Sequence, residues 1–432
     1  MVWRGTIGPS MGTLPLEWLQ SFSDPELGVG WNPRASRKAR WRLGRMRALV
    51  HLAGDPDQRM RVVLIAGTKG KGSTAAFLAS ILHAGGIRAG LFTSPHLQTY
   101  RERVRIDGAM LASSDFGRAI DGLRPLVARL KRVHPDAGEP TTFELTLLLA
   151  LRAFAERGCS VAVVEVGLGG LLDATNALDP AVSVLTSMSY DHTAILGRTL
   201  AAIATEKAGI LRRARPALVA EQRPSAAHAI RRIGRAIGAQ PRVVRPLGVH
   251  ADLGLAGDHQ RQNAALASAA ARSLGIGEAA VARGLRTTSW PARFERVRGR
   301  PAIVLDGAHN GASAEALART LRHERGDRRL VLVVGINRDK DARAVFKPLV
   351  RIASAVIVTR STSPRAADPA VVARVAARGT RILITTAATV PDAVAAGRAA
   401  AGPDGFVCVT GSLAVAAEAR TALGLAPAER WW

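Results

Sequence analysis

Arg61-Val-Val-Leu-Ile-Ala-Gly-Thr-Lys-Gly-Lys-Gly-Ser-Thr74 is the stretch on which the fold turns. Its opening half, Arg61 to Ala66, is a short β-branched apolar run that stops at glycine, the pattern of a strand buried on both faces. Glycine, lysine and hydroxyl residues fill Gly67 to Thr74, and Ala75–Ala84 then reads as a helix closed by Gly85-Gly86. A glycine-rich turn between strand and helix is the setting of a phosphate cradle. Backbone N–H groups and the helix N-terminus attract an anion, and Lys71 brings positive charge to the β- and γ-phosphates. The common spacing G-x-x-x-x-G-K-[ST] is altered here, because Gly72 stands between Lys71 and Ser73.

Outward from the loop, apolar runs alternate with helical patterns. Strands are predicted at Ala89–Thr93, Ser160–Val166 and Ala181–Thr186, and helices near Lys38–Ala53, over Thr141–Arg157 and over Thr199–Leu211. Thr287-Thr-Ser-Trp-Pro-Ala-Arg293 reads as a linker. Beyond it the alternation restarts, with strands at Ala302–Leu305, Leu330–Val334, Ala355–Thr359 and Phe406–Val409 and helices at Ala312–His323 and near Ala342–Ala353. Such alternation predicts an α/β protein in two domains, each a parallel sheet wrapped by helices, over residues 1–288 and 289–432.

With 432 residues, the chain exceeds one ordinary core. No apolar run is long enough to span a membrane, and Met1 to Gln20 has no apolar signal region. Two isolated cysteines, Cys159 and Cys408, support neither a disulfide framework nor a zinc site, and fit a reducing cytoplasm. The net charge of +26 is spread along the chain with few aromatics interleaved, so it points to no nucleic-acid partner but would draw in an anionic substrate. Only seven of the 60 basic residues are lysines, and Lys69, Lys71, Lys207 and Lys340 all fall in motifs. Where arginine dominates, a surviving lysine marks a position at which a primary amine matters.

Further motifs extend the loop into an ordered set. They are Phe92-Thr-Ser-Pro-His-Leu97, Arg101-Glu-Arg-Val-Arg105, Glu165-Val-Gly-Leu-Gly-Gly170 with Asp173-Ala-Thr-Asn176, and Asp191-His192 through Leu196-Gly197 to Glu206-Lys-Ala-Gly-Ile210. His259-Gln260 with Asn263, Asp306-Gly-Ala-His-Asn310, Asp339-Lys-Asp341 and Thr410-Gly-Ser412 complete it. In this order the set resembles the Mur ligase superfamily, and within it the folylpolyglutamate synthase and dihydrofolate synthase family. That resemblance implies a Mur-ligase-like fold, with an N-terminal P-loop ATPase domain on a parallel sheet and a smaller C-terminal Rossmann-like α/β domain. It also implies a monomer in the cytoplasm, acting on small molecules without a membrane or nucleic-acid partner.

The resemblance further implies ATP and two Mg2+ sites. Thr68, Lys69, Gly70, Lys71, Gly72, Ser73, Asn263, Arg293, Asp306 and His309 would contact ATP. Ser94, Glu165 and His192 would hold one Mg2+, and Lys207, carbamylated, the other. Lys71, His192 and Lys207 would be catalytic, and Thr142, Phe143, Gly167, Leu168 and Gly169 would face the substrate. The implied reaction joins L-glutamate to dihydropteroate or a folate through an acyl phosphate. Three positions depart from the family pattern: Thr142 where an aromatic is usual, Leu171 where Arg is usual, and Lys69 in place of Asn. Thr142 and Leu171 keep open a related Mur-type ligase for another carboxylate, such as a cell-wall or specialised-metabolite precursor. Glu165, His192 and Lys207 together argue against a protein that merely binds nucleotide.

Overall fold

The computed structural model describes residues 14–24, 43–378 and 380–425. It divides into two compact units, one of Met1–Pro95, Arg103–Leu247 and Gln262–Leu285, the other of His96–Glu102, Gly248–Arg261 and Arg286–Trp432. Among the described residues no helix is long and apolar enough to cross a membrane.

In chain order the first elements are α1 (Pro15–Gln20), α2 (Leu43–Leu52), β1 (Arg61–Ala66), α3 (Lys71–Ala84), β2 (Ala89–Phe92), β3 (Val104–Ile106) and β4 (Ala109–Met110). Then come α4 (Ser113–Asp121), α5 (Arg124–Val133), α6 (Thr142–Glu156), β5 (Val161–Glu165), β6 (Pro180–Leu185), α7 (Thr193–Leu196) and α8 (Leu200–Ala208). They are followed by β7 (Ala217–Ala220), α9 (Pro224–Ile237), β8 (Pro241–Val244), α10 (Asp258–Ser273) and α11 (Glu278–Thr287). The helix expected from Lys38 is described from Leu43 to Leu52; positions 38–42 lie outside the described residues. The strands form one sheet in the order β4-β3-β2-β5-β1-β6-β7-β8. Only β3 and β4 run antiparallel to their neighbours.

Central position explains why β1 is apolar almost throughout. It pairs with β5 on one side and β6 on the other, so neither edge nor either face meets water. Ile65 is opposite Glu165 and Ala66 opposite Leu185. The C-terminal ends of three neighbouring strands therefore line up, which is where open parallel sheets bind ligands. Helix α3 begins four residues before the predicted start. Gly70, at φ 91, is its N-cap, so Lys71 already lies in the first turn. The Cβ-free backbone of Gly70 sets the boundary, and Gly72 sits inside the helix.

The second unit contains β9 (Glu295–Val297), β10 (Ala302–Leu305), α12 (Gly311–Arg325), β11 (Leu330–Val334), α13 (Ala342–Leu349), β12 (Ala355–Val358), α14 (Pro369–Ala377), β13 (Leu383–Thr386), α15 (Val390–Ala401), β14 (Phe406–Thr410) and α16 (Leu413–Ala422). Its sheet order is β13-β12-β11-β14-β10-β9, parallel except for β9. Leu330, Leu332 and Val334 of β11 enter one apolar cluster, and Val331 and Val333 enter another. Both faces are buried, as a sheet covered by helices on each side requires. Helix α13 stops at Leu349, short of the predicted Ala353, and contains Pro348, which cannot donate a backbone hydrogen bond.

Candidate active site

Everything in the first unit's site is arranged around the phosphate loop. Gly67 has φ 150, and a Cβ on it would collide with the Thr186 side chain. One on Gly70 would collide with the Asn263 amide. Glycine is required at both, because side chains of α10 and of the β6 terminus press directly on the loop backbone. Asn263 is thereby brought to the loop, although it lies far along the chain and is itself buried. Thr68 N and Lys69 N both donate to Ser187 O, at 3.0 and 3.1 Å. The amides of Lys71 and Gly72 belong to the first turn of α3, where no acceptor exists inside the helix, so this end of α3 suits an anion.

Glu165 closes β5 and is 5% exposed. A carboxylate so buried is costly unless it is compensated. Ser94 N donates to its Oε2 at 3.2 Å, and Lys71 Nζ stands 4.0 Å from its Oε1. Ser94, Glu165 and Lys71 are thus gathered at one edge of the sheet. His192 is the more open of the expected ligands: its side chain is 57% exposed, on the turn leading into α7. Among the described residues no group of three or more His, Cys, Asp or Glu forms a ready metal cluster. A buried carboxylate beside a serine and a phosphate cradle nonetheless suits a hard, oxygen-seeking cation whose remaining ligands come from phosphate and water.

Lys207, on the last turn of α8, is 5% exposed and reaches back to the loop, donating from Nζ to Gly67 O at 2.8 Å. Burial pushes its amine down from the usual lysine range to about 7, and the positive charge of Lys71 adds to the shift. Asp191, Asp173 and Glu206 pull the other way and are outweighed. A buried amine whose uncharged form is well populated near neutral pH is nucleophilic.

The expected substrate-facing residues separate. The Phe143 ring meets Phe92 edge-on at 5.6 Å and lies against Gly167, where a Cβ would approach it to 2.8 Å. Leu168 N donates to Asp173 Oδ2 at 2.9 Å, which fixes the Gly167–Gly169 turn beside that ring. Thr142 is different. It is 1% exposed, and its hydroxyl bonds the carbonyls of Leu19 and Phe22 at 3.2 and 3.1 Å, fastening the segment after α1 to the start of α6. Leu171, by contrast, is 42% exposed. Sequence reasoning assigned no role to Asp173 itself. Its buried carboxylate accepts from Leu168 N, Thr175 N and Thr175 Oγ1 and shapes the turn, and its place at the head of the Asp173-Ala-Thr-Asn176 motif was the signal in the sequence.

In the second unit Arg293, Asp306 and His309 come together. Asp306 accepts from Phe294 N at 2.8 Å and Ala308 N at 2.9 Å. Burial raises its carboxyl above the usual range against the lowering pull of Arg293 and of these two donors. Arg293 donates to Ala292 O at 3.0 Å and crowds Gly307, whose carbonyl lies 2.9 Å from His309 Nδ1.

Comparison with known proteins matches residues 65–236 to the Mur ligase middle domain and residues 292–413 to the Mur ligase glutamate ligase domain. The chain is 36% identical over 441 residues to the dihydrofolate synthase/folylpolyglutamate synthase of Mycobacterium tuberculosis, covering 89% of this chain and 90% of that protein. It belongs to the dihydrofolate synthase/folylpolyglutamate synthase family. The Bacillus subtilis member is 34% identical over 354 residues, or 75% of this chain and 82% of that one. A relative from Halobacterium salinarum, named a probable bifunctional folylpolyglutamate synthase/dihydropteroate synthase, is 37% identical, and this chain spans about half of it, 48%. Among solved structures, the M. tuberculosis folylpolyglutamate synthase complexed with ADP and AMPPCP superposes with a TM-score of 0.81 at 33% identity, covering 89% of this chain and 96% of that one. E. coli FolC in complex with DHPP and ADP gives 0.82 at 29% identity, covering 96% and 99%. The family's Mur-ligase-like fold is thus the fold of this chain.

Proposed function

We propose that the chain is an ATP-dependent carboxylate–amine ligase that joins L-glutamate to dihydropteroate, to a reduced folate, or to both. The observation that carries this reading is the convergence of Lys71, Glu165 and the neutral-leaning Lys207 on one phosphate loop. A protein that only held nucleotide would have no use for a buried nucleophilic amine beside the loop. The family's relatives named for folate ligation favour this carboxylate over a cell-wall or specialised-metabolite precursor.

A carboxylate resists attack by an amine because its charge must be lost first. In the proposed reaction a carboxylate oxygen of the pteridine substrate attacks the γ-phosphorus, and ADP departs. The glutamate nitrogen then attacks the acyl carbon, inorganic phosphate leaves with the C–O bonding pair, and the nitrogen gives up a proton to form the amide. Lys71 and the amides of the first turn of α3 neutralise the phosphoryl oxygens, so the chain's work is mostly positioning and charge compensation. Glu165, Ser94 and His192 would hold Mg2+, which would supply positive charge to the phosphates. Lys207 would be carbamylated: its free amine attacks carbon dioxide and loses a proton, leaving an oxygen ligand for a second Mg2+. Phe143, Phe92 and the Gly167–Gly169 turn would receive the pteridine ring. Thr68, Lys69, Gly70, Gly72, Ser73 and Asn263, with Arg293, Asp306 and His309 of the second unit, would bind ATP. The protein would act as a soluble cytoplasmic monomer, with residues 1–288 carrying the ATPase function and 289–432 the glutamate ligase function.

The test supplies purified protein with ATP, Mg2+, L-glutamate and, in separate reactions, dihydropteroate and tetrahydrofolate. Phosphate release that depends on the pteridine, together with a product one glutamate heavier by mass spectrometry, is the expected result. Silence with both pteridines would overturn the folate reading.

A further inference from the structure

The role of Lys69 is not explained by phosphate binding alone. Its ammonium pairs with Asp191, Nζ to Oδ2 at 3.2 Å, with both side chains about one-third exposed, 33% and 31%. The pair prolongs a seam that the backbone begins. Ser187 O accepts from Thr68 N and Lys69 N, and Ser189 O accepts from Thr68 Oγ1 at 3.2 Å. At its other oxygen Asp191 accepts from His192 N at 3.0 Å. One carboxylate therefore links the Lys69 ammonium to the backbone of His192. That residue occupies the left-handed region at φ 49, an uncommon state for any residue but glycine, although histidine enters it more readily than most. Its carbonyl then accepts from Ile195 N and Leu196 N, both at 2.9 Å, which starts α7.

An ion pair this exposed adds little to global stability. Its consequence is local. Without the Lys69 charge, Asp191 loses the contact that aims its second oxygen at His192, and the turn is free to leave its left-handed conformation. We propose that Lys69 is a positioning residue: through Asp191 it sets the His192 turn from the phosphate loop, so that loop and turn are held as one piece. The use of that turn in holding Mg2+ rests on the ligase reading, whereas the Lys69–Asp191–His192 linkage rests on the geometry.

Two measurements on the full chain test it: hydrogen exchange of the amides between His192 and Gly197, and ADP affinity by calorimetry. In Lys69→Met, exchange across 192–197 accelerates and ADP binds roughly threefold to tenfold more weakly, while the melting midpoint stays near that of the parent. Lys69→Arg keeps both properties. Asp191→Ala, which removes the acceptor of His192 N itself, loses the same protection, and adding Lys69→Met to it costs no further protection. Unaltered protection in Lys69→Met, or losses that add when Lys69→Met and Asp191→Ala are combined, would overturn the proposal. If the parent itself fails to bind ADP, the nucleotide reading falls, and the exchange data still decide the linkage.

Discussion

A lysine with an amine near pH 7 is the most informative residue in the molecule. Its pKa is depressed from the ordinary value, so the ammonium prevails below about 7 and the free amine above it. Only the free amine reacts with carbon dioxide, so the proposed carbamate should be lost as pH falls through about 7. Activity should therefore respond to added bicarbonate strongly at pH 6 and weakly at pH 8, and 13C-bicarbonate should give a carbamate resonance in parent protein that Lys207→Arg lacks. Arginine keeps the charge and the length but cannot form this ligand, so Lys207→Arg should cost about a hundredfold or more in turnover with an unchanged circular dichroism spectrum. An active arginine variant would refute the carbamate. Gly70 poses a second residue-level question. Alanine there needs a left-handed backbone, at about 1 kcal/mol, and its Cβ meets the Asn263 amide. Gly70→Ala should weaken ADP at least about tenfold by calorimetry.

At the scale of elements, the legible parts are those whose burial is two-sided in space and unbroken in sequence. The strands β1, β10 and β11 begin and end where their apolar runs do, because both faces are covered and no polar residue interrupts them. Edge strands are the reverse: β8 and β13 bury none of their residues fully, so no apolar run announces them. The site shows the same split. The loop, Glu165 and Lys207 stand out because a charge closes a buried strand and because lysines survive in motifs where arginine otherwise dominates. Thr142 did not reveal its work, since its hydroxyl bonds carbonyls of Leu19 and Phe22 that are remote in sequence. Beside it, Glu144 closes the capping box with Thr141 and also takes Arg45, its Nη2 at 2.9 Å, with both side chains under a tenth exposed. Removing one member of such a pair strands a buried charge. Arg45→Met should therefore lower unfolding free energy in urea by about 3 kcal/mol. Adding Glu144→Gln should cost less than the sum of the two single changes, because the stranded charge is gone. Additive losses would show that the pair is not coupled.

Across the whole molecule, two features exceed any single element. The second unit draws in a segment far from its main span: Leu97 packs with Ala292, Ala416 and Ala417, and Gln98 Nε2 bonds Ala417 O at 3.3 Å while its Oε1 accepts from Arg420 at 2.8 Å. Chain order alone conceals this, because the contacts join residues more than three hundred positions apart. The other feature is the charge of +26. Many of its arginines are held in exposed pairs such as Arg88–Asp107 and Arg272–Glu278, but acids are too few to pair them all. The surplus creates a positive field at long range and contributes little to the fold. Every proposed substrate is an anion at neutral pH, so the field should raise encounter rates without altering the chemistry that follows. Salt screens fields between exposed charges over about 10 Å at 0.1 M and over about 3 Å at 1 M. Raising ionic strength should then lower kcat/KM for ATP and for the pteridine by about tenfold while kcat holds steady. If kcat falls in parallel, salt is acting within the loaded site, on pairs such as Lys71–Glu165, and the long-range field contributes nothing to capture.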